Sequence, residues 1–174
     1  MTAFRVAPPS ACDRAGFLAR YGGVYEHSPW IAAAVWDARR AVDDVDGLAL
    51  AMAAEVEAAA PEAQRALLCA HPDLAGRLAV AGDLTTESSA EQASAGLDRC
   101  TPEDFAEFQR LNAAYAARFG FPFILAVRGL SRAEILEVFA RRVGDTPEAE
   151  FREALDQVHR IARLRLEALA AETG

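Results

Sequence analysis

The chain of 174 residues contains no lysine. All 18 of its basic residues are arginine, set against 26 acidic ones, which gives a formal net charge of −8 and a pI near 4.9. That balance argues against a nucleic-acid partner, because phosphate backbones are gripped by clustered cations that release counterions. Cysteine is scarce as well. Cys12, Cys69 and Cys100 are odd in number, far apart and without a Cys-x-x-Cys pair, so neither a disulfide framework nor a zinc site is indicated, and a reducing cytoplasm is the expected compartment. No apolar run approaches the roughly 18 residues that signal a membrane span, and residues 1–10 lack the basic start and apolar centre of an export signal. No membrane partner is expected. Internal repeats, low-complexity tracts and linker-like composition shifts are also missing.

What is present is the composition of a globular protein, 52% hydrophobic and 25% charged. At 18.7 kDa it fits one compact domain over residues 1–174. Helix punctuation recurs: Ser28-Pro29, Thr101-Pro102 and Thr146-Pro147 each place proline where a first helical turn tolerates it, behind a capping residue. Gly22-Gly23, Gly82, Gly120 and Gly144 stand where left-handed caps would end helices. The pattern predicts helices over 10–21, 29–41, 46–59, 61–70, 73–80, 88–97, 102–118, 131–143 and 147–171. The expected fold is all-α, with about seven to nine helices. Phe121 to Val127 is short, apolar and bounded by turn signals, so it reads as a lone buried strand or an extended segment. Phe105, Phe108, Leu111, Tyr115 and Phe119 recur at helical spacing, and Phe17, Tyr25, Trp30 and Trp36 are similar; core packing accounts for them.

Chemistry-bearing side chains concentrate in a few places. His71 precedes Pro72, which disfavours helical geometry in its neighbour, so the imidazole marks a helix C-terminus. That end favours the protonated ring, and an imidazolium near a carboxylate can exchange protons around neutral pH; an ordinary packed or surface histidine is the competing reading. His27 and His159 are assigned to such ordinary roles. Ser88-x-x-Glu91 has the spacing of a capping box. Gln92 beside it and the small run Ala93-Ser94-Ala95-Gly96 equally suit a ligand at a helix start, and the two readings are compatible. In the last helix Leu155, Val158, Ala162 and Leu169 form a stripe whose gap is filled by Arg165, which therefore points inward. Asp156, Arg160, Arg163 and Glu167 make the solvated opposite face. A buried guanidinium needs a carboxylate, either from a ligand or from the protein, with Asp73 and Glu91 as candidates.

Taken together, His71-Pro72-Asp73-Leu74-Ala75, the run from Leu84-Thr85 to Glu91-Gln92-Ala93-Ser94-Ala95-Gly96-Leu97-Asp98, Leu111-Asn112-x-x-Tyr115, Phe119-Gly120-Phe121-Pro122-Phe123 and Ile161-x-x-Leu164-Arg165-Leu166 resemble the OHCU decarboxylase family, OHCU being 2-oxo-4-hydroxy-4-carboxy-5-ureidoimidazoline. Gly22-Gly23-Val24-Tyr25-Glu26-His27-Ser28-Pro29-Trp30 also matches, so the likeness runs from about Pro9 to Leu169. It implies an all-helical homodimer that acts in urate breakdown, after uricase and hydroxyisourate hydrolase, and converts its small-molecule substrate OHCU to (S)-allantoin and CO2 without cofactor or metal. Carried over by motif, His71 and Glu91 are catalytic. Pro72, Ser88, Glu91, Gln92, Arg165 and the backbone of Phe123, Ile124, Leu125, Ala126 and Val127 would hold the substrate. Two other readings fit the residues alone: a non-catalytic helical dimer module, and an enzyme of the same fold acting on a related ureide.

Overall fold

The structure, a computed structural model, describes residues 2–76 and 83–173. Eight α-helices lie among the described residues: α1 (Arg14–Tyr21), α2 (Trp30–Asp37), α3 (Val45–Ala58), α4 (Pro61–Cys69), α5 (Thr86–Ser94), α6 (Pro102–Phe119), α7 (Arg132–Arg142) and α8 (Pro147–Ala171). Short 3-10 turns cover Pro9–Ala11 and Leu97–Arg99. The only β pairing among the described residues is an isolated antiparallel bridge between Ala3 and Asp44. The all-α expectation holds. Two compact units emerge, one from Met1–Ala70 with Val158–Gly174, the other from His71–Gln157.

In the first unit α1 packs on α2 and α2 on α3. Asp13 and Asp44 cap α1 and α3, accepting from the N–H of Gly16 and Gly47 at 2.8 Å each. Phe17 meets Tyr21 at 4.9 Å and Trp36 at 5.1 Å between ring centroids, and Phe4 meets Tyr21 edge-on at 5.2 Å. Each fully buried apolar side chain of this kind contributes roughly 1.5–3 kcal/mol. The C-terminal part of α8 adds Val158, Ile161, Ala162, Leu166 and Ala170 to the buried set. Trp30, assigned to the core from its spacing, is instead 39% exposed, because it opens α2 on the side away from Ile31, Ala32 and Val35.

In the second unit α5 packs on the 3-10 turn that follows it, and α6 on α7. Thr101 and Thr146 cap α6 and α8 as expected, accepting from Asp104 N–H at 3.1 Å and Ala149 N–H at 3.3 Å. Gly120 ends α6 with φ 75°, the left-handed conformation that favours glycine. Phe121 to Val127 forms neither helix nor ladder, and all of it but Pro122 is buried.

Several boundaries depart from expectation. Pro8-Pro9 produces only a 3-10 turn, so α1 starts at Arg14 rather than 10. Ser28 does not cap α2; its hydroxyl donates to the Glu26 carbonyl at 2.9 Å. The helix then stops at Asp37, and Arg39 takes φ 57°. Gly22 is right-handed, with φ −65°, and a Cβ there would lie 2.4 Å from the Leu18 carbonyl oxygen, so close approach rather than handedness is what glycine provides. Gly144 is not left-handed either. Of the predicted 73–80 helix, Leu74 and Ala75 form a turn, and residues 77–82, including Gly82, lie outside the described residues.

Candidate active site

The first cluster is the turn that follows α4. Pro61 opens that helix, Ala70 ends it, and His71 follows directly, 8% exposed. The imidazole thus stands past a helix C-terminus, as its place before Pro72 predicted. Beyond Pro72 the chain doubles back, with Ala75 at φ 48°. A Cβ at Gly76 would meet the Asp73 Cβ at 2.6 Å, so the turn closes too tightly for any side chain there. Three carboxamides hold it. Gln92 accepts from Ala75 N–H at 3.0 Å and donates to the Asp73 carbonyl at 3.2 Å; Asn112 donates to the Leu74 carbonyl at 2.9 Å and Gln109 to the Ala75 carbonyl at 2.8 Å. Asp73 keeps an exposed edge, yet desolvation by its surroundings raises its carboxyl above the ordinary range.

The second cluster is α5. Thr85, not Ser88, is its cap: the Thr85 hydroxyl oxygen accepts from Ser88 N–H at 3.2 Å. The capping-box reading of Ser88 and Glu91 is therefore corrected, because the helix starts two residues earlier than expected and puts Ser88 inside its first turn. Ser88 and Gln92, four residues apart, share a buried face, and Glu91 between them is half-buried. Gln92 joins this face to the His71 turn.

Helix α6 serves a third cluster. One turn beyond Asn112, the Tyr115 ring lies edge-on to Phe121 and Phe123 at 5.7 and 5.4 Å. The Tyr115 hydroxyl donates to Glu150 Oε1 at 2.5 Å. Burial first, and that carboxylate second, hold the phenol far above its ordinary range, so it stays a proton donor. Glu150 also binds Arg142, whose Nε donates at 2.9 Å and whose Nη2 makes a further short contact. Arg142 Nη1 donates to the Ile124 carbonyl at 2.8 Å, and Gln157 Oε1 accepts from Ala126 N–H at 2.9 Å. Sequence reasoning passed over Gln109, Arg142, Glu150 and Gln157. The available signal was Arg142 continuing the buried stripe of Ile135 and Phe139.

The remaining candidate, Arg165, belongs to the first unit. It points inward, 7% exposed, as the stripe in α8 predicted. A carboxylate partner the sequence did not single out is Glu26, Nη1 to Oε2 at 2.7 Å, with the carbonyls of Gly23 and Val24 at 3.4 and 3.5 Å. The same loop sends the Tyr25 hydroxyl to His159 Nδ1 at 2.8 Å, and His159 Nε2 lies 2.8 Å from Glu57. These three contacts span 139, 134 and 102 residues of chain, which spacing rules do not reach. Among the described residues no group of three or more His, Cys, Asp or Glu side chains could hold a metal ion, and no helix is long and apolar enough to cross a membrane.

Residues 10–167 match the OHCU decarboxylase family. The 2-oxo-4-hydroxy-4-carboxy-5-ureidoimidazoline decarboxylase of Halalkalicoccus jeotgali is 43% identical over 169 residues, covering 97% of this chain and 93% of that protein. That of Haloferax volcanii is 46% identical over 154 residues, with 88% and 89% covered, and that of Mus musculus 41% over 157 residues, with 90% and 88% covered. Among solved structures, an (S)-allantoin synthase superposes with a TM-score of 0.73 at 36% identity over 91% of this chain; the match spans 51% of that longer protein. An OHCU decarboxylase crystallised in the presence of (S)-allantoin shares the fold, with a TM-score of 0.66 at 19% identity over 86% of this chain and 96% of the other.

Proposed function

The chain belongs to the OHCU decarboxylase family, and from that membership we propose that it is a carboxy-lyase of urate breakdown, converting OHCU to (S)-allantoin and CO2 without a cofactor. The substrate carries its own electron sink. As the bond to the carboxylate breaks, its electron pair forms a double bond to the neighbouring ring carbon, and the C=N pair moves onto nitrogen, which takes a proton. The enol-like product is protonated on one face of the ureido-bearing carbon while its hydroxyl proton leaves to give C=O. A positioned acid therefore sets both rate and handedness.

His71 and Glu91 share this proton work. Support comes from the placement of His71 at the carbonyl end of α4, which favours the imidazolium, and from the half-buried Glu91 on a helix tied to the same turn. Pro72, Ser88 and Gln92 border the substrate. Gln92 keeps capacity for this although both ends hold the turn, since each end of a carboxamide can make a second hydrogen bond. The backbone of Phe123, Ile124, Leu125, Ala126 and Val127 reads ring and ureido groups, and Arg165 orients the anionic substrate. The chain works as one domain and as a homodimer, the usual assembly implied by the family resemblance. Cytoplasmic residence fits Cys12, Cys69 and Cys100, which form no disulfide among the described residues.

The observation that carries the reading is the family match over residues 10–167. Its test generates OHCU in place from urate with uricase and hydroxyisourate hydrolase and follows allantoin by circular dichroism. Wild-type protein is expected to produce the (S) signal well ahead of spontaneous decay, and His71→Ala to lose it by a factor of about 10² to 10⁴. A wild-type rate equal to uncatalysed decay to racemic product would sink the assignment.

A further inference from the structure

We propose that Arg142 and Gln157 are positioning residues for this reaction, holding the Phe123–Val127 backbone in the shape that receives the substrate; the inference rests on the assignment of that segment to the substrate site. Arg142 is 1% exposed and Glu150 fully buried. A buried ion pair of this kind is weak evidence for stability, since apolar residues of similar volume do as well or better. Its particular contribution is geometric: with Nε and Nη2 on Glu150, the guanidinium plane is fixed and Nη1 meets the Ile124 carbonyl. Tyr115 fixes Glu150 in turn. Phe123 is pinned by a parallel stack on Phe139 at 3.8 Å and 11°, with the Arg142 guanidinium 4.4 Å from its ring centroid.

Gln157 supplies the other anchor. Its amide is oriented by Nε2 donating to Glu153 Oε1 at 2.9 Å, which leaves Oε1 aimed at Ala126 N–H. The two anchored peptide groups belong to Ile124 and Ala126, one on each side of Leu125. The Leu125 backbone between the two anchors is then the part this reading offers to the substrate. A segment fixed in advance at Phe123, Ile124 and Ala126 binds without the cost of ordering a loop. Loosening an anchor is read in KM.

Gln157→Ala removes the Ala126 acceptor, and the exchanged pair Glu153→Gln/Gln157→Glu keeps an acceptor for Ala126 N–H while reversing only the side-chain hydrogen bond between positions 153 and 157. A third variant, Tyr115→Phe/Arg142→Met/Glu150→Leu, replaces the ion-pair network by apolar groups and keeps the test available if the alanine variant folds poorly. Each is assayed for KM and kcat in the coupled system, alongside thermal midpoint and hydrogen exchange of residues 121–127. Gln157→Ala and the triple variant are expected to raise KM roughly tenfold or more, with faster exchange in that segment, while the exchanged pair returns KM to within about threefold of wild type. Folded variants whose KM stays within about twofold of wild type would overturn the proposal. Absence of wild-type turnover would overturn the decarboxylase reading and this inference with it, so the two failures are distinguishable.

Discussion

Arg165 and Glu26 are 7% and 2% exposed, and at 2.7 Å each is the other's compensation for leaving water. Removing one partner leaves the other charge buried and uncompensated, which in proteins costs about 3–5 kcal/mol, whereas replacing both by apolar residues is often neutral. Glu26→Ala should therefore lower the urea unfolding free energy by about that amount, and Glu26→Leu/Arg165→Met should recover most of it while staying inactive. A single variant within 1 kcal/mol of wild type would show that the pair carries little of the fold. The inward direction of Arg165 was legible in its sequence, because a residue that fills a gap in a four- and three-residue stripe must share the stripe's face. Its partner was not. Glu26 sits in a loop with no periodicity, and the contact closes 139 residues of chain. Gln92 teaches the same lesson on a smaller scale: its neighbourhood of small residues signalled a close approach, but only folding shows that the backbone approaching it is its own chain at Asp73 and Ala75.

Among the helices, α7 has the most complete start. Ser131 Oγ accepts from Glu134 N–H at 3.3 Å, and Glu134 Oε2 accepts from Ser131 N–H at 2.7 Å. Losing such a cap costs about 0.5–2 kcal/mol, so Ser131→Ala should destabilise within that range in urea titrations. The Glu134 carboxyl is held below its ordinary value, first by the Ser131 backbone N–H and then by its hydroxyl. A depressed carboxyl stabilises the fold above its unfolded pKa, and that contribution fades as pH falls through the folded value. The stability gap between wild type and Glu134→Gln should thus be full at neutral pH and shrink below about pH 4.5, the ordinary value for glutamate. A gap independent of pH would rule out this account of the cap. At Thr101 and Thr146, though not at Ser28, the polar residue before a proline let the helix start be read directly; α8 runs over 147–171 as predicted. At α5 two hydroxyls competed, and Thr85 prevailed over Ser88 because the latter is buried with Gln92.

At the scale of the whole molecule, α8 decides how the chain unfolds. Its residues 147–157 belong to one compact unit and 158–171 to the other. Ala154 and Leu155 are buried in the first stretch, Ile161, Ala162, Leu166 and Ala170 in the second. Helices shorter than about 12–15 residues are marginal without tertiary support, so melting either unit strips support from the half of α8 that continues into it and frays the half that remains. The units are therefore expected to melt as one, with a single calorimetric transition whose enthalpy equals the van't Hoff value. Proline at the exposed position 160 sharpens the test, since a proline inside a helix removes a backbone hydrogen bond at a cost of about 3 kcal/mol or more. Arg160→Pro should lower amide protection in both units, reaching α6 and α7 as well as α1 to α3. Two resolved transitions, or a loss of protection confined to the first unit, would separate the units and end the description of residues 1–174 as one domain.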